Sequence, residues 1–340
     1  MINKLLSVSS SFIGKRGKVF TLCFITLFIL SESYGQQPSR SIVSDSEKDL
    51  IPEGIAFDSR SGKIYVSSIS KQTIIIIDSN GKHHNFIQPG QDNFLEGLGM
   101  KVDSKRNWLW ALSNKAEGKK HTSQVHAFDL SSGKMQQYYF LTDTLPRLFN
   151  DLVIVTDGKI YFTDTYGSSV YQIDPVLKTM ELIIKDPKIK YPNGIISGNN
   201  QQLYIATYGN GLMRFDLSTK EIFPLTGFKD STLAFGFDGL GFWNNTLIGV
   251  YNSGEKRSTN AVVQYLLDKN GHRIIREKVL DKGHPLFHEP TTIAISKNKM
   301  YLLANSHLSI YNANKQSTKG VEDQLTPVTI LQYQLKDRIQ

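Results

Sequence analysis

Ile51-Pro-Glu-Gly-Ile-Ala-Phe-Asp58 puts a carboxylate and a glycine at the head of a short apolar run. The same opening returns along the chain. Glu96 stands in Leu-Glu-Gly-Leu-Gly-Met-Lys-Val-Asp103, and Asn150 in Phe-Asn-Asp-Leu-Val-Ile154. Asn193 stands in Tyr-Pro-Asn-Gly-Ile-Ile196, Asp238 in Phe-Asp-Gly-Leu-Gly-Phe242, and Glu289 in His-Glu-Pro-Thr-Thr-Ile-Ala-Ile295. The intervals between them are 43, 54, 43, 45 and 51 residues, the period of a four-stranded propeller blade. Each opening is followed by β-rich runs such as Lys63-Ile-Tyr-Val-Ser-Ser68 and Lys159-Ile-Tyr-Phe-Thr-Asp164, with turns rich in Gly, Asn, Asp and Ser between them. This is the pattern of antiparallel meanders. The run Thr-Ile-Ile-Ile-Ile77 lacks alternation, as a strand covered on both faces would.

These units predict an all-β, six-bladed β-propeller over 51–336. The last blade is read from Thr292-Ile-Ala-Ile295, Lys299-Met-Tyr-Leu-Leu-Ala304, Leu308-Ser-Ile-Tyr311 and Val328-Thr-Ile-Leu-Gln-Tyr333. Residues 36–50 are polar and aperiodic, a linker or a ring-closing strand. The connections near 113–123 and 252–260 read as polar loops. Residues 1–35 predict a signal peptide: a basic segment ending at Lys18, an apolar stretch over 19–30, then small residues at Ser33 and Gly35. The apolar stretch is short for a membrane span, so no stable span is expected after cleavage. The protein is then exported, periplasmic or secreted. An uncleaved anchor is the alternative reading of the same residues.

The formal net charge is +8, of which the first 35 residues supply +3. The rest is scattered among acidic residues, with no stripe of the kind nucleic acid requires. The single cysteine, Cys23, lies inside the apolar leader, so thiol nucleophiles, disulfides and thiolate metal sites are excluded from the exported chain. There is no Gly-x-Ser-x-Gly elbow, no His-Glu-x-x-His and no phosphate-binding or dinucleotide loop.

If each opening residue starts the innermost strand of its blade, the six side chains meet at one mouth of a central channel. Glu53, Asn150, Asn193 and Asp238 then offer only hard oxygen donors, two of them charged. This set suits a divalent cation, calcium above all, and gives zinc little support.

The motifs Pro52-Glu-Gly54, Asn150-Asp151, Pro192-Asn-Gly194 and Asp238-Gly239, in that blade order, resemble those of the senescence-marker-protein/gluconolactonase/luciferin-regenerating family. That family is related to the paraoxonases and strictosidine synthases. The resemblance implies a metal-dependent hydrolase of a small-molecule lactone or ester, with Glu53, Asn193 and Asp238 as metal ligands. It makes Asn150 a metal or substrate contact and Asp238 the base. Arg147 falls one position from a substrate-binding arginine of the family. Glu289 is a second catalytic candidate and Glu96 a further one, carried here as a substrate contact. No histidine pair of the paraoxonase kind is present. A non-catalytic propeller that binds a sugar, peptide or protein, or a scaffold around a structural ion, remains the alternative.

Overall fold

The computed structural model describes residues 37–45, 48–199, 201–229, 235–254 and 256–336; the signal-peptide expectation for 1–35 lies outside them. Six four-stranded antiparallel sheets follow one another along the chain. Sheet one is β2 (Pro52–Phe57), β3 (Ile64–Ser68), β4 (Thr73–Ile77) and β5 (His83–Ile87), and sheet two is β6 (Glu96–Asp103), β7 (Trp108–Glu117), β8 (Lys120–Asp129) and β9 (Met135–Asp143). Sheet three is β10 (Phe149–Ile154), β11 (Ile160–Asp164), β12 (Ser169–Asp174) and β13 (Thr179–Lys185). Sheet four is β14 (Pro192–Ser197), β15 (Gln202–Thr207), β16 (Gly211–Asp216) and β17 (Ile222–Pro224). Sheet five is β18 (Phe237–Trp243), β19 (Thr246–Tyr251), β20 (Ala261–Leu267) and β21 (Ile274–Lys282). Sheet six runs β22 (Ile293–Ser296), β23 (Lys299–Leu303), β24 (Thr329–Gln334) and then β1 (Arg40–Val43).

The first strands of the sheets touch in a closed circle, β2 against β6, then β10, β14, β18, β22 and back to β2. The chain is a six-bladed β-propeller. Closure is made by β1, which pairs Ile42 with Ile330 on β24, so the outer strand of the sixth blade comes from the N-terminal side.

Neighbouring blades share their cores. On β4, Ile74 and Ile76 pack with Met100 and Leu109 of sheet two, whereas Ile75 and Ile77 pack with Tyr301 and Ile330 of sheet six. Both faces of that strand are buried, which is why its sequence does not alternate. The aspartates that end third strands also acquire a reason. Asp129, Asp174 and Asp216 each accept backbone N–H groups two and three residues on through Oδ1, closing the turn to the fourth strand.

Two expectations are corrected. Leu308–Ala313 is not the third strand of blade six but a short helix, α1, in the connection between β23 and β24. The Glu289 carboxylate accepts from the Ser309 N–H at 2.8 Å and from the Ser309 hydroxyl, satisfying donors of its first turn. The polar segment near 113–123 is not a loop either: β7 and β8 extend as one hairpin, paired as far as Glu117 and Lys120.

Ile42 is buried while Ser41 beside it is exposed. Ile42→Ala is expected to cost ~2–4 kcal/mol in urea unfolding, and Ser41→Ala to leave the midpoint unchanged.

Candidate active site

In sheets one to five the first strand carries a bulge at its start. The pairing register jumps between Pro52 and Ile55, Gly97 and Met100, Phe149 and Leu152, Pro192 and Ile195, and Phe237 and Leu240. In each, two residues oppose one on the second strand, which interrupts alternation and bends the strand. The first residue of the bulge is Glu53, Leu98, Asn150, Asn193 or Asp238. The second is glycine in four of the five, because the next blade's backbone lies against it: a Cβ on Gly54 would meet the Leu98 carbonyl oxygen at 2.1 Å, and one on Gly194 the Asp238 carbonyl oxygen at 2.3 Å. In sheet three Asp151 takes this place. Strict alternation would turn Asp151 away from the channel; because of the bulge it lines it. Its carboxylate accepts from Leu152 N–H at 2.8 Å and lies 3.6 Å from Lys101 Nζ.

Glu53, Asn150, Asn193 and Asp238 line one small axial cavity of about 10 Å³, room for about one water-sized occupant. Above it opens a cavity of about 640 Å³ that the same four residues also line. Glu96 and Glu289 do not complete the circle. The bulge of sheet two falls on Leu98, two residues after Glu96, which pairs with Asn114. Glu289 has φ +59° and precedes β22 in a loop. Its turn of the circle is taken by Thr291, which accepts from Gly239 N–H through its carbonyl at 2.8 Å and donates through Oγ1 to the Glu53 carbonyl at 3.0 Å. Both glutamates line the upper cavity, but Glu289 is engaged by Ser309 and so is no free base.

A second circle, unseen in the sequence reading, stands just after the second strands at Ile69, Thr165, Tyr208 and Asn252 and within β7 at Asn114; all five line the upper cavity. Three of them orient the first circle. Asn150 Nδ2 donates to Thr165 Oγ1 at 3.0 Å, Asn193 Nδ2 to Tyr208 OH at 2.8 Å, and Asn252 Nδ2 to Asp238 Oδ2 at 3.1 Å. The nitrogens of Asn150 and Asn193 are thereby engaged and their oxygens left for the axis. The sequence signal is positional: each second-circle residue is the first after a run such as Ile64-Tyr-Val-Ser-Ser68, Ile160-Tyr-Phe-Thr-Asp164 or Leu203-Tyr-Ile-Ala-Thr207.

Arg147 is corrected. It is absent from the cavity lining. Its guanidinium binds Asp164 at 3.0 Å, Asp143 at 2.8 Å and the Tyr171 hydroxyl at 2.9 Å. It holds the ends of β9 and β11 together rather than a substrate.

Burial pushes the Glu53 carboxyl well above its ordinary value, and the Asp238 and Glu289 charges push it the same way. Burial likewise raises Asp238 to about 7, against hydrogen bonds from Asn252 and Asn193. Burial also raises Glu96 and, with the Asp238 and Glu53 charges, keeps the Tyr208 phenol neutral. Two carboxylates forced together out of water are a site in need of a positive charge. Among the described residues no three acidic, imidazole or thiol groups suffice alone as a metal cluster, so a cation here would draw on the amide oxygens as well.

The family model described as the SMP-30/Gluconolactonase/LRE-like region matches residues 51–241. No curated protein sequence matches. Among solved structures, a calcium-binding regucalcin from Agrobacterium tumefaciens is similar at 16% identity and TM-score 0.56, over 90% of this chain and 99% of that one. A gluconolactonase from Xanthomonas campestris is similar at 13% identity and TM-score 0.53, over 87% and 98%. A PQQ-bound aldose sugar dehydrogenase from Streptomyces coelicolor is similar at 13% identity and TM-score 0.55, over 87% and 97%. At such identities the likeness is one of fold.

Two outcomes follow from this geometry. Asp164 is fully buried, so Arg147→Met, which removes its guanidinium partner, should cost ~3–5 kcal/mol of stability in urea unfolding. The raised carboxyl gives a pH signature. Folded Asp238 holds its proton more tightly than the unfolded chain does, so cation-free protein loses stability as pH rises from the ordinary 3.8 towards about 7. Melting curves in chelator should fall across that window. Asp238→Asn should flatten the fall.

Proposed function

The chain belongs to the SMP-30/gluconolactonase/LRE-like family, and from that premise we propose that it is an exported, divalent-metal-dependent hydrolase of a lactone or ester, with calcium as the metal. Membership supports a lactonase-type function at the level of the family. One observation carries the rest: four oxygen-bearing side chains, from four different blades, line a single ion-sized cavity at the floor of a substrate-sized one.

The donor set fits the cation. Glu53 and Asp238 supply charge, and Asn150 and Asn193 supply neutral oxygens whose companion nitrogens are bonded to Thr165 and Tyr208. All are hard ligands of the type calcium takes. When bound, the cation supplies Lewis acidity toward a carbonyl oxygen. The remaining work falls to the chain. Asp238, a carboxylate facing the same cavity, accepts the proton of the attacking water. Asn252 fixes the orientation of that carboxylate through Oδ2. Tyr208, its phenol kept neutral, receives Asn193 and holds the amide in register. Glu289 and Ser309 fix α1 over the cavity, whose Leu308 and Tyr311 cover the substrate and exclude water.

Removing calcium with a chelator should abolish lactone hydrolysis with the far-ultraviolet circular dichroism unchanged, and restoring it should recover the rate. Tyr208→Phe removes the acceptor of Asn193 and should weaken calcium binding ~10–100-fold by calorimetry. Full turnover after complete chelation would remove the metal from the mechanism.

A further inference from the structure

Sheet two breaks the circle of oxygens. Where four blades present Glu53, Asn150, Asn193 and Asp238, this one presents Leu98. Leu98 belongs to a local apolar cluster with Ile69, Tyr311 and Leu325, against which Leu148 and Leu308 pack. Five of these, Ile69, Leu98, Leu148, Leu308 and Tyr311, line the upper cavity. One side of the site above the axis is therefore hydrocarbon and one aromatic ring.

Of the polar residues elsewhere in the wall, Asn114, Thr165, Asn252 and Glu289 are already bonded to protein, while Glu96, Tyr166, Tyr191, Asn312 and Gln316 complete the lining. The Asn114 amide takes both backbone groups of Phe149, each at 2.8 Å. Thr165 Oγ1 donates to the Pro192 carbonyl at 2.6 Å and accepts from Asn150. Asn252 uses Nδ2 on Asp238 and Oδ1 on the Gly254 N–H at 2.9 Å. Glu289 is held by Ser309. A substrate hydroxyl turned toward the Leu98, Leu148 and Leu308 side would find no partner there, at a cost per group. Among the described residues no lysine or arginine lines the cavity, whereas Glu53, Glu96, Asp238 and Glu289 do. An anionic substrate is disfavoured on charge alone.

We propose that the substrate is an uncharged lactone bearing a hydrocarbon substituent, which lies against the Leu98, Leu308 and Tyr311 wall with the ester carbonyl at the axis. This rests on the hydrolase reading of the same cavity. A bare lactone ring fills only part of about 640 Å³, a volume typical of pockets for drug-sized ligands. The substituent accounts for the remainder.

The test compares three δ-lactones on the full chain with calcium: unsubstituted, pentyl-substituted and the polyhydroxylated glucono-δ-lactone. The pentyl compound should exceed the unsubstituted one by at least ~10-fold in kcat/KM, with the polyhydroxylated one slowest. In Leu308→Ser and Tyr311→Ser the ratio of pentyl to unsubstituted should fall towards one. A wild-type ratio of one, or preference for the polyhydroxylated lactone, overturns the inference and leaves the hydrolase standing. Calorimetry with the unreactive δ-lactam and its pentyl derivative separates the two readings. If no lactone turns over, hydrolysis is wrong. Tighter binding of the pentyl lactam, lost in Leu308→Ser, would still support the apolar wall, and equal binding of both lactams would overturn it.

Discussion

Everything at the centre of this molecule depends on how closely the first strands approach one another. The bulge at the start of five of the six inner strands places two residues where a regular strand has one, and in four of them the second carries no Cβ into the next blade. Gly54, Gly99, Gly194 and Gly239 all stand within 2.1–2.6 Å of a neighbouring atom at the position a Cβ would take. Such approach tolerates no side chain. It draws residues far apart in sequence onto one axis, where Glu53, Asn150, Asn193 and Asp238 line one small cavity. Hydroxyls brace the contact: Ser67 Oγ accepts from Gly54 N–H and donates to the Leu98 carbonyl, and Thr163 Oγ1 donates to the Asn193 carbonyl.

The cost of this arrangement is electrostatic. Glu53 and Asp238 are held near each other and away from water, and both carboxyls are displaced upward. Both therefore hold a proton more tightly than the unfolded chain does, which ties the stability of the site to pH. The second circle adds direction. By engaging one atom of Asn150, Asn193 and Asp238 each, Thr165, Tyr208 and Asn252 leave a defined oxygen, so the donors need little reorganisation when a ligand arrives.

The ring, its blade count and the residues on four of its six inner strands were legible because a carboxylate or amide before an apolar run is a local signal repeated at blade spacing. The same signal misplaced Glu96 and Glu289. Glu96-Gly97 mimics Glu53-Gly54, but the bulge falls two residues on at Leu98-Gly99, and register is a property of pairing that composition does not encode. Leu308-Ser-Ile-Tyr311 has the alternation of a strand, yet four residues are too few to separate that period from a helical one. What decides is the distant Glu289 carboxylate against Ser309. Arg147 lay in a plausible stretch and was drawn away by the buried Asp164. The second circle went unseen because its members, from Ile69 to Tyr208, share a position and no chemistry.

The sixth sheet joins Arg40–Val43 to Thr329–Gln334, residues from opposite ends of the described chain. A growing polypeptide can complete five sheets, but the last waits for the final strand. Until then the ring has an open seam, with β1 and β23 each lacking the same partner. Contacts of such sequence separation form slowly, and unpaired strand edges invite other chains. The hazardous moment in the life of this protein is therefore the interval between the fifth sheet and the sixth, and whatever shields that seam sets its yield.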